Sequence, residues 1–273
     1  MNPIPITSLD DPRVAAYRNL KEKELDRAGR LFIAEGEYVV RRLLESDYPV
    51  ESVFASDLRL PKIAGFVPEG VPLYVTPQQT MNGLMGARFQ SGIVACGRRK
   101  PWRPMEQVIP NTPGRLTLVV CPDISNVQNI GAIIRIAAGF GADAMVLGEQ
   151  CHDPFWRQAI RVSMGTIFRL PIHQSRNLVE DMQRLKTEWK VELAASVLSD
   201  SAEPLSQSRR PDRFGILFGN EAQGIGEQYV RASDRQITIP MNPGIDSLNV
   251  AIAAGIVLYH FTRQDSFVAS PGV

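Results

Sequence analysis

The stretch at residues 214–259 constrains this chain more than any other. It reads FGILFGNEAQGIGEQYVRASDRQITIPMNPGIDSLNVAIAAGIVLY. Residues 215–218 form a short apolar run that leads into Gly219, the pattern of a buried parallel strand. Residues 236–240 read as a second short strand, stopped by Pro240. Residues 246–259 read as an apolar helix with Asp246 at the N-cap and Asn249 three residues on, a weak variant of a capping box. Two loops, 219–226 and 241–246, separate these elements. A loop between a buried strand end and a helix start offers free backbone N–H and C=O groups to a ligand. Gly219 and Gly224 allow close backbone approach because no Cβ intervenes. The pair of loops fits a nucleoside-shaped slot. It equally fits ordinary strand–helix turns, which are common in α/β proteins.

At 273 residues the chain is long enough for one large or two medium domains. Its 44% hydrophobic and 22% charged composition is that of a soluble globular protein. The net charge of +1 does not by itself mark a nucleic-acid binder. Cys96, Cys121 and Cys151 have no metal-ligand spacing and read as reduced, buried side chains. His152, His173 and His260 are scattered, so no metal site is expected. The N-terminus lacks a basic start followed by an apolar core, and the longest apolar run, 250–258, is too short to span a bilayer. A soluble, cytoplasmic protein is expected.

Residues 8–96 read as a small α/β unit: strand 31–34, helix 35–46, strands 50–55 and 71–75, helix 78–84 and strand 93–96. In the first helix Val39, Val40, Leu43 and Leu44 form one apolar stripe beside Arg41 and Arg42. Residues 97–114, GRRKPWRPMEQVIPNTPG, carry four prolines and two glycines and read as a linker. Arg98, Arg99, Lys100 and Arg103 surround Trp102. Such a stretch can hold a phosphate backbone and stack a base, or can be a plain solvated linker.

Beyond it, strands 116–120, 144–147, 168–172 and 191–195 alternate with helices 129–140, 154–162 and 177–189. Residues 199–213 read as a polar loop. The alternation predicts a parallel sheet with helices on both faces. Residues 139–144, GFGADA, match the dinucleotide-binding G-x-G-x-x-A. They follow a helix and precede a strand, the reverse of what that fingerprint requires. No P-loop and no G-x-S-x-G elbow occurs. The polar residues gather at Asn129 with Arg135, at Glu221, and at Ser247 with Asn249. Arg135 interrupts an apolar helical segment, so it is expected to pair with an acid or to meet a ligand phosphate.

NVQNIGAIIRIAAGFGAD (126–143), ILFGNEAQGI (216–225) and IPMNPGIDSLNVAIAAGIVLY (239–259) resemble, in order and spacing, the three motifs of the SpoU/TrmH branch of the SPOUT RNA methyltransferases. VSMGTIFRLPI (162–172) matches a fourth, less specific segment. RLFIAEGEYVVRRLLE (30–45) is similar to part of the small, ribosomal-protein-like RNA-binding domain that often precedes this catalytic domain. The resemblance implies an α/β fold: a C-terminal parallel-sheet domain (115–273) tied in a trefoil knot, preceded by a small α/β RNA-binding domain (1–97) and a linker (98–114). It implies a homodimer that binds S-adenosyl-L-methionine in the knot and methylates a ribose 2′-hydroxyl of RNA. The two-domain layout favours rRNA over tRNA. A non-catalytic RNA-binding homologue is the reading from a different class.

Carried over residue by residue, the resemblance places cofactor contacts at Phe218, Gly219, Ile239, Met241 and Leu248. It places the catalytic positions at Asn129, Arg135, Glu221, Ser247 and Asn249. Arg135 matches the family's catalytic arginine. An arginine stays protonated at neutral pH, so it is expected to act with the target's own phosphate or to lend a base only if perturbed. Asn129 would orient Arg135 or the ribose, and Ser247 and Asn249 would hold the loop and substrate. Glu221 would anchor the knot loop or pair with a basic group. Two departures stand out. Ala222 follows the glutamate where the family has glycine, at a cost of roughly 1 kcal/mol if that position needs positive φ. Residues 152–157, HDPFWR, replace a small polar loop, with Trp156 and Arg157 available to RNA or a partner subunit.

Overall fold

The computed structural model describes residues 2–18, 31–83, 89, 91–242, 244 and 247–263. In chain order the elements are β1 (Ile4–Pro5), β2 (Leu31–Glu35), α1 (Glu37–Leu44), β3 (Val50–Ser56), β4 (Leu73–Thr76), α2 (Gln78–Asn82) and β5 (Ile93–Arg98). There follow α3 (Met105–Val108), β6 (Leu116–Cys121), α4 (Val127–Gly139), β7 (Ala144–Leu147), α5 (Arg157–Val162), β8 (Ile172–Gln174) and α6 (Leu178–Thr187). The chain closes with β9 (Glu192–Ser196), β10 (Glu203–Pro204), β11 (Arg213–Leu217), α7 (Glu227–Ala232), β12 (Arg235–Thr238) and α8 (Val250–Arg263).

These elements form two compact units. The first comprises residues 1–101 and 155–169, the second 102–154 and 170–273. The segment 155–169, placed in the C-terminal domain from sequence, therefore groups with the first unit. The reason is aromatic packing. Phe155 and Phe168 lie 5.3 and 5.4 Å from the ring of Phe32 on β2, and both contact Tyr48. Arg157 ion-pairs with the buried Glu35 at the end of β2. A buried carboxylate needs such a partner. Arg157 is thus engaged inside its own unit rather than held out to RNA.

The first unit's sheet runs β1-β4-β3-β5-β2. Its β1, β4 and β3 are parallel, whereas β5 is antiparallel to both neighbours. Tyr17 is buried in its core and is tied down by polar contacts to Ser52, with its hydroxyl accepting from the Cys96 N–H. The expected linker is also more structured than its prolines imply. Arg98 belongs to β5, and Met105, Val108 and Ile109 are buried in the second unit's core.

The second unit's sheet has seven parallel strands in the order β10-β12-β9-β11-β6-β7-β8. Every residue of β6 and β7 is buried, as a parallel sheet covered on both faces requires. α6 buries Leu178, Met182 and Leu185, spaced on one face, each contributing roughly 1.5–3 kcal/mol. α4 and α8 pack on each other. The strand expected at 168–172 begins only at Ile172, because residues 166–168 form a 3₁₀ turn that takes Phe168 to the aromatic cluster.

The strand order reverses between β6 and β11. From β6 the chain steps outward through β7 to β8, and the later strands build on the other side of β6. The carboxyl ends of β6 and β11 therefore flank a topological switch point, where open α/β sheets hold ligands.

Candidate active site

Three loops meet at that switch point: 122–126 after β6, 218–226 after β11, and the segment before α8. Glu221 lies on the second. Its Oε1 accepts from the Asn126 N–H at 3.1 Å and from Asn129 Nδ2 at 2.8 Å. Its Oε2 accepts from the Ser125 N–H at 3.3 Å and the Ser125 hydroxyl at 3.0 Å. Asn126 is the N-cap of α4, so the carboxylate sits at that helix's positive end. Partial desolvation against the loop pushes the Glu221 carboxyl up. The donors of Asn129, Ser125 and Asn126 outweigh it and hold the group below the usual carboxylate range.

Asn129 is buried, in the first turn of α4. Its Nδ2 is spent on Glu221, and its Oδ1 accepts from Asn249 Nδ2 at 3.0 Å. Asn249 Oδ1 accepts from the N–H groups of Ala251 and Ile252 at 2.9 and 3.4 Å, which caps α8. The expected cap, Asp246, lies outside the described residues, and α8 starts at Val250. Donor and acceptor directions along Glu221–Asn129–Asn249 are fixed from both ends, by a carboxylate that only accepts and by helix N–H groups that only donate.

The glycines act where approach is tight. A Cβ on Gly219 would lie 2.4 Å from backbone atoms of Gly224 and Ile225, so only glycine fits. Asn220 and Gly224 exchange two backbone hydrogen bonds, and Gly224 takes φ +70°. Ala222 is not among the positive-φ residues, so the departure from glycine there costs no backbone strain.

The remaining expected residues are placed differently. Phe218 is buried, with its N–H donating to Val120, while Ile239, Met241 and Leu248 are half-buried. Ser247 is exposed and makes no hydrogen bond to a described residue. Arg135 is exposed on α4 and has no ion pair with a described residue. The premise that it interrupts a buried segment is corrected: it points off the apolar stripe, and solvent meets its charge. It lies six residues beyond Asn129, about 9 Å along the axis and roughly 240° around it, so one chain does not bring the two together. Of the basic stretch, Arg98 pairs with Glu51 and Lys100 with Asp47, and the Arg99 guanidinium lies over Phe155.

Sequence reasoning missed Asp123, Ser125 and Asn220. Asn220 Nδ2 donates to Asp123 Oδ2 at 3.1 Å and to the Ser125 hydroxyl at 3.4 Å, while its Oδ1 takes the N–H groups of Ala222 and Gln223. The available signal was composition alone: short polar side chains in both loops, of the kind that bond to nearby backbone.

An α/β sheet with polar loops gathered at the switch point defines the class. The SpoU rRNA Methylase family model matches residues 116–259. An uncharacterized tRNA/rRNA methyltransferase of Mycobacterium bovis is 33% identical over 271 residues, covering 96% of this chain and 92% of its own. The 23S rRNA (guanosine(2553)-2′-O)-methyltransferase RlmP of Bacillus subtilis is 26% identical, covering 93% of this chain and 98% of its own. The crystal structure of an AdoMet-bound rRNA methyltransferase from Sinorhizobium meliloti superposes with TM-score 0.81 at 25% identity, covering 96% of this chain and 97% of its own. The chain belongs to the SpoU rRNA methylase family.

Proposed function

We propose that this protein transfers the methyl group of S-adenosylmethionine to a ribose 2′-hydroxyl of rRNA. The observation that carries the reading is the Glu221–Asn129–Asn249 chain, which joins all three family motifs at the switch point. The donor set fits the cofactor. Gly219 lies beyond β11, Ile239 beyond β12 and Leu248 before α8, so their N–H and C=O groups stand outside the regular ladders and helices. Ile239, Met241 and Leu248 add half-buried apolar surface beside them. When bound, S-adenosylmethionine supplies an already activated methyl sulfonium. The protein's task is then to position the hydroxyl and help its proton leave. Asn129 and Asn249, locked in orientation, hold the loop edge that faces the ribose. Ser247, exposed beside Asn249, is free to bond to substrate.

Arg135 completes the site from a second copy of the chain. α8 exposes Ile252, Ile256 and Tyr259 at 56%, 40% and 49%, spaced along one face of a helix that packs on α4. That stripe supports a homodimer, with Arg135 of the partner subunit reaching the Asn129 cluster and drawing the target's phosphate towards the hydroxyl. In this reading the C-terminal part of the sheet is tied in the SPOUT trefoil knot, residues 1–97 bind RNA, and the protein works in the cytoplasm. The Sinorhizobium meliloti match, which covers 96% of the chain, supports a shared two-unit layout.

The test is methyl transfer from labelled S-adenosylmethionine to bulk rRNA and, separately, to bulk tRNA, both from cells lacking the gene. Label in rRNA at an alkali-resistant linkage is expected. Label confined to tRNA would replace the substrate, and no cofactor binding would favour a non-catalytic RNA-binding role.

A further inference from the structure

We propose that Ser125 is a positioning residue of this site: its hydroxyl, aimed by Asn220 and Asp123, clamps Glu221 at the start of α4 and so holds the accepting end of the Glu221–Asn129–Asn249 chain in place. The proposal rests on the reading of that chain as the active-site core.

The direction of each bond is forced. Asn220 Oδ1 is occupied by two backbone N–H groups, so its Nδ2 must donate, to Asp123 and to the Ser125 hydroxyl. With a lone pair committed to Asn220, the Ser125 hydroxyl turns its single proton to Glu221 Oε2. The four donors to Glu221 are then two backbone N–H groups, Asn129 and Ser125. The backbone donors survive any substitution that keeps the loop. Among the described residues, Ser125 is thus the only side chain outside the five family-matched active-site positions that hydrogen-bonds to the carboxylate.

Only an ionised Glu221 leaves both oxygens free to accept. Once protonated, it must turn one oxygen into a donor among four donors, and Asn129 or Ser125 loses its acceptor. The ionised clamp is therefore present above the usual carboxylate range and is lost as pH falls through the lowered value. Removing the Ser125 hydroxyl takes away one of the groups that lower it, so the loss begins at higher pH. The neighbouring thiols do not blur this. Cys121 and Cys151 are pushed up by burial, Cys151 to about 12, and stay neutral thiols. Asp123 faces Asn220, and α8 brings no ionisable group before Tyr259.

The experiment compares wild type, Ser125→Ala and Ser125→Thr by two readouts. The first is the ¹³C shift of the Glu221 carboxyl against pH in the cofactor-free protein, assigned with Glu221→Gln. The second is the pH profile of kcat for methyl transfer to rRNA. In Ser125→Ala the carboxyl titration and the acid limb of kcat are expected to move together to higher pH. The rate at neutral pH should fall less than it does on the acid limb, because two backbone N–H groups and Asn129 still hold the ionised carboxylate, and Ser125→Thr should restore both curves. A Glu221 titration unchanged in Ser125→Ala overturns the clamp. A titration that moves while the acid limb stays overturns its bearing on catalysis. A wild type that methylates no RNA is a failure of the functional reading instead, and the carboxyl titration still decides the clamp.

Discussion

Asn129 and Arg135 stand on the same helix, under two turns apart, and are treated in opposite ways. Asn129 is buried, with both amide atoms committed, one to Glu221 and one to Asn249. Arg135 is exposed, and no described residue pairs with its charge. One end of α4 is finished within the chain. The other presents an always-charged, fork-shaped donor to whatever arrives from outside. In the proposed reading, a single chain builds the half of the site that holds and orients, and a second subunit supplies the half that meets phosphate.

The sharpest way to break this contrast is Arg135→Ala. Methyl transfer is expected to fall by at least about a thousandfold, with cofactor affinity by calorimetry near normal. A large loss of cofactor binding would instead place Arg135 among the holding residues. Next comes Ile256→Glu, which puts a charge in the exposed stripe of α8. Sedimentation should show association weakened at least about a hundredfold, with activity lost in parallel. An active monomer would refute the shared site. The smallest effect is expected for Arg98, Arg99, Lys100 and Arg103 changed together to Ala. Arg98 and Lys100 are already paired within the first unit and the Arg99 guanidinium lies over Phe155, so the salt slope of RNA binding should fall by only about one or two.

The same contrast governs what could be read from sequence. The buried central strands of the second unit were legible because buried parallel strands are plain apolar runs: 116–120 was expected and Leu116–Cys121 observed. The two-residue strands Ile4–Pro5 and Glu203–Pro204 were not legible, since their only signature is the neighbour they pair with. The apolar Phe168 read as strand, but its fate was decided by Phe32 and Tyr48, far off in sequence. In the site, Asn129, Glu221 and Asn249 stood out through the motifs. Ser125 and Asn220 did not, because what they do depends on two loops about 95 residues apart meeting at one carboxylate. The exposure of Arg135 was hidden as well: an arginine within an apolar run reads as buried until the helix face is known.

The central claim is that one active site draws Asn129 and Glu221 from one subunit and Arg135 from the other. Mixing inactive Arg135→Ala with inactive Asn129→Ala protein, under conditions where subunits exchange, tests it most directly. A mixed dimer would carry one site with both substitutions and one with neither, so methyl transfer should recover to about a quarter of wild type at equal mixing. A mixture no more active than either variant alone, with exchange verified by mass, would contradict the shared site.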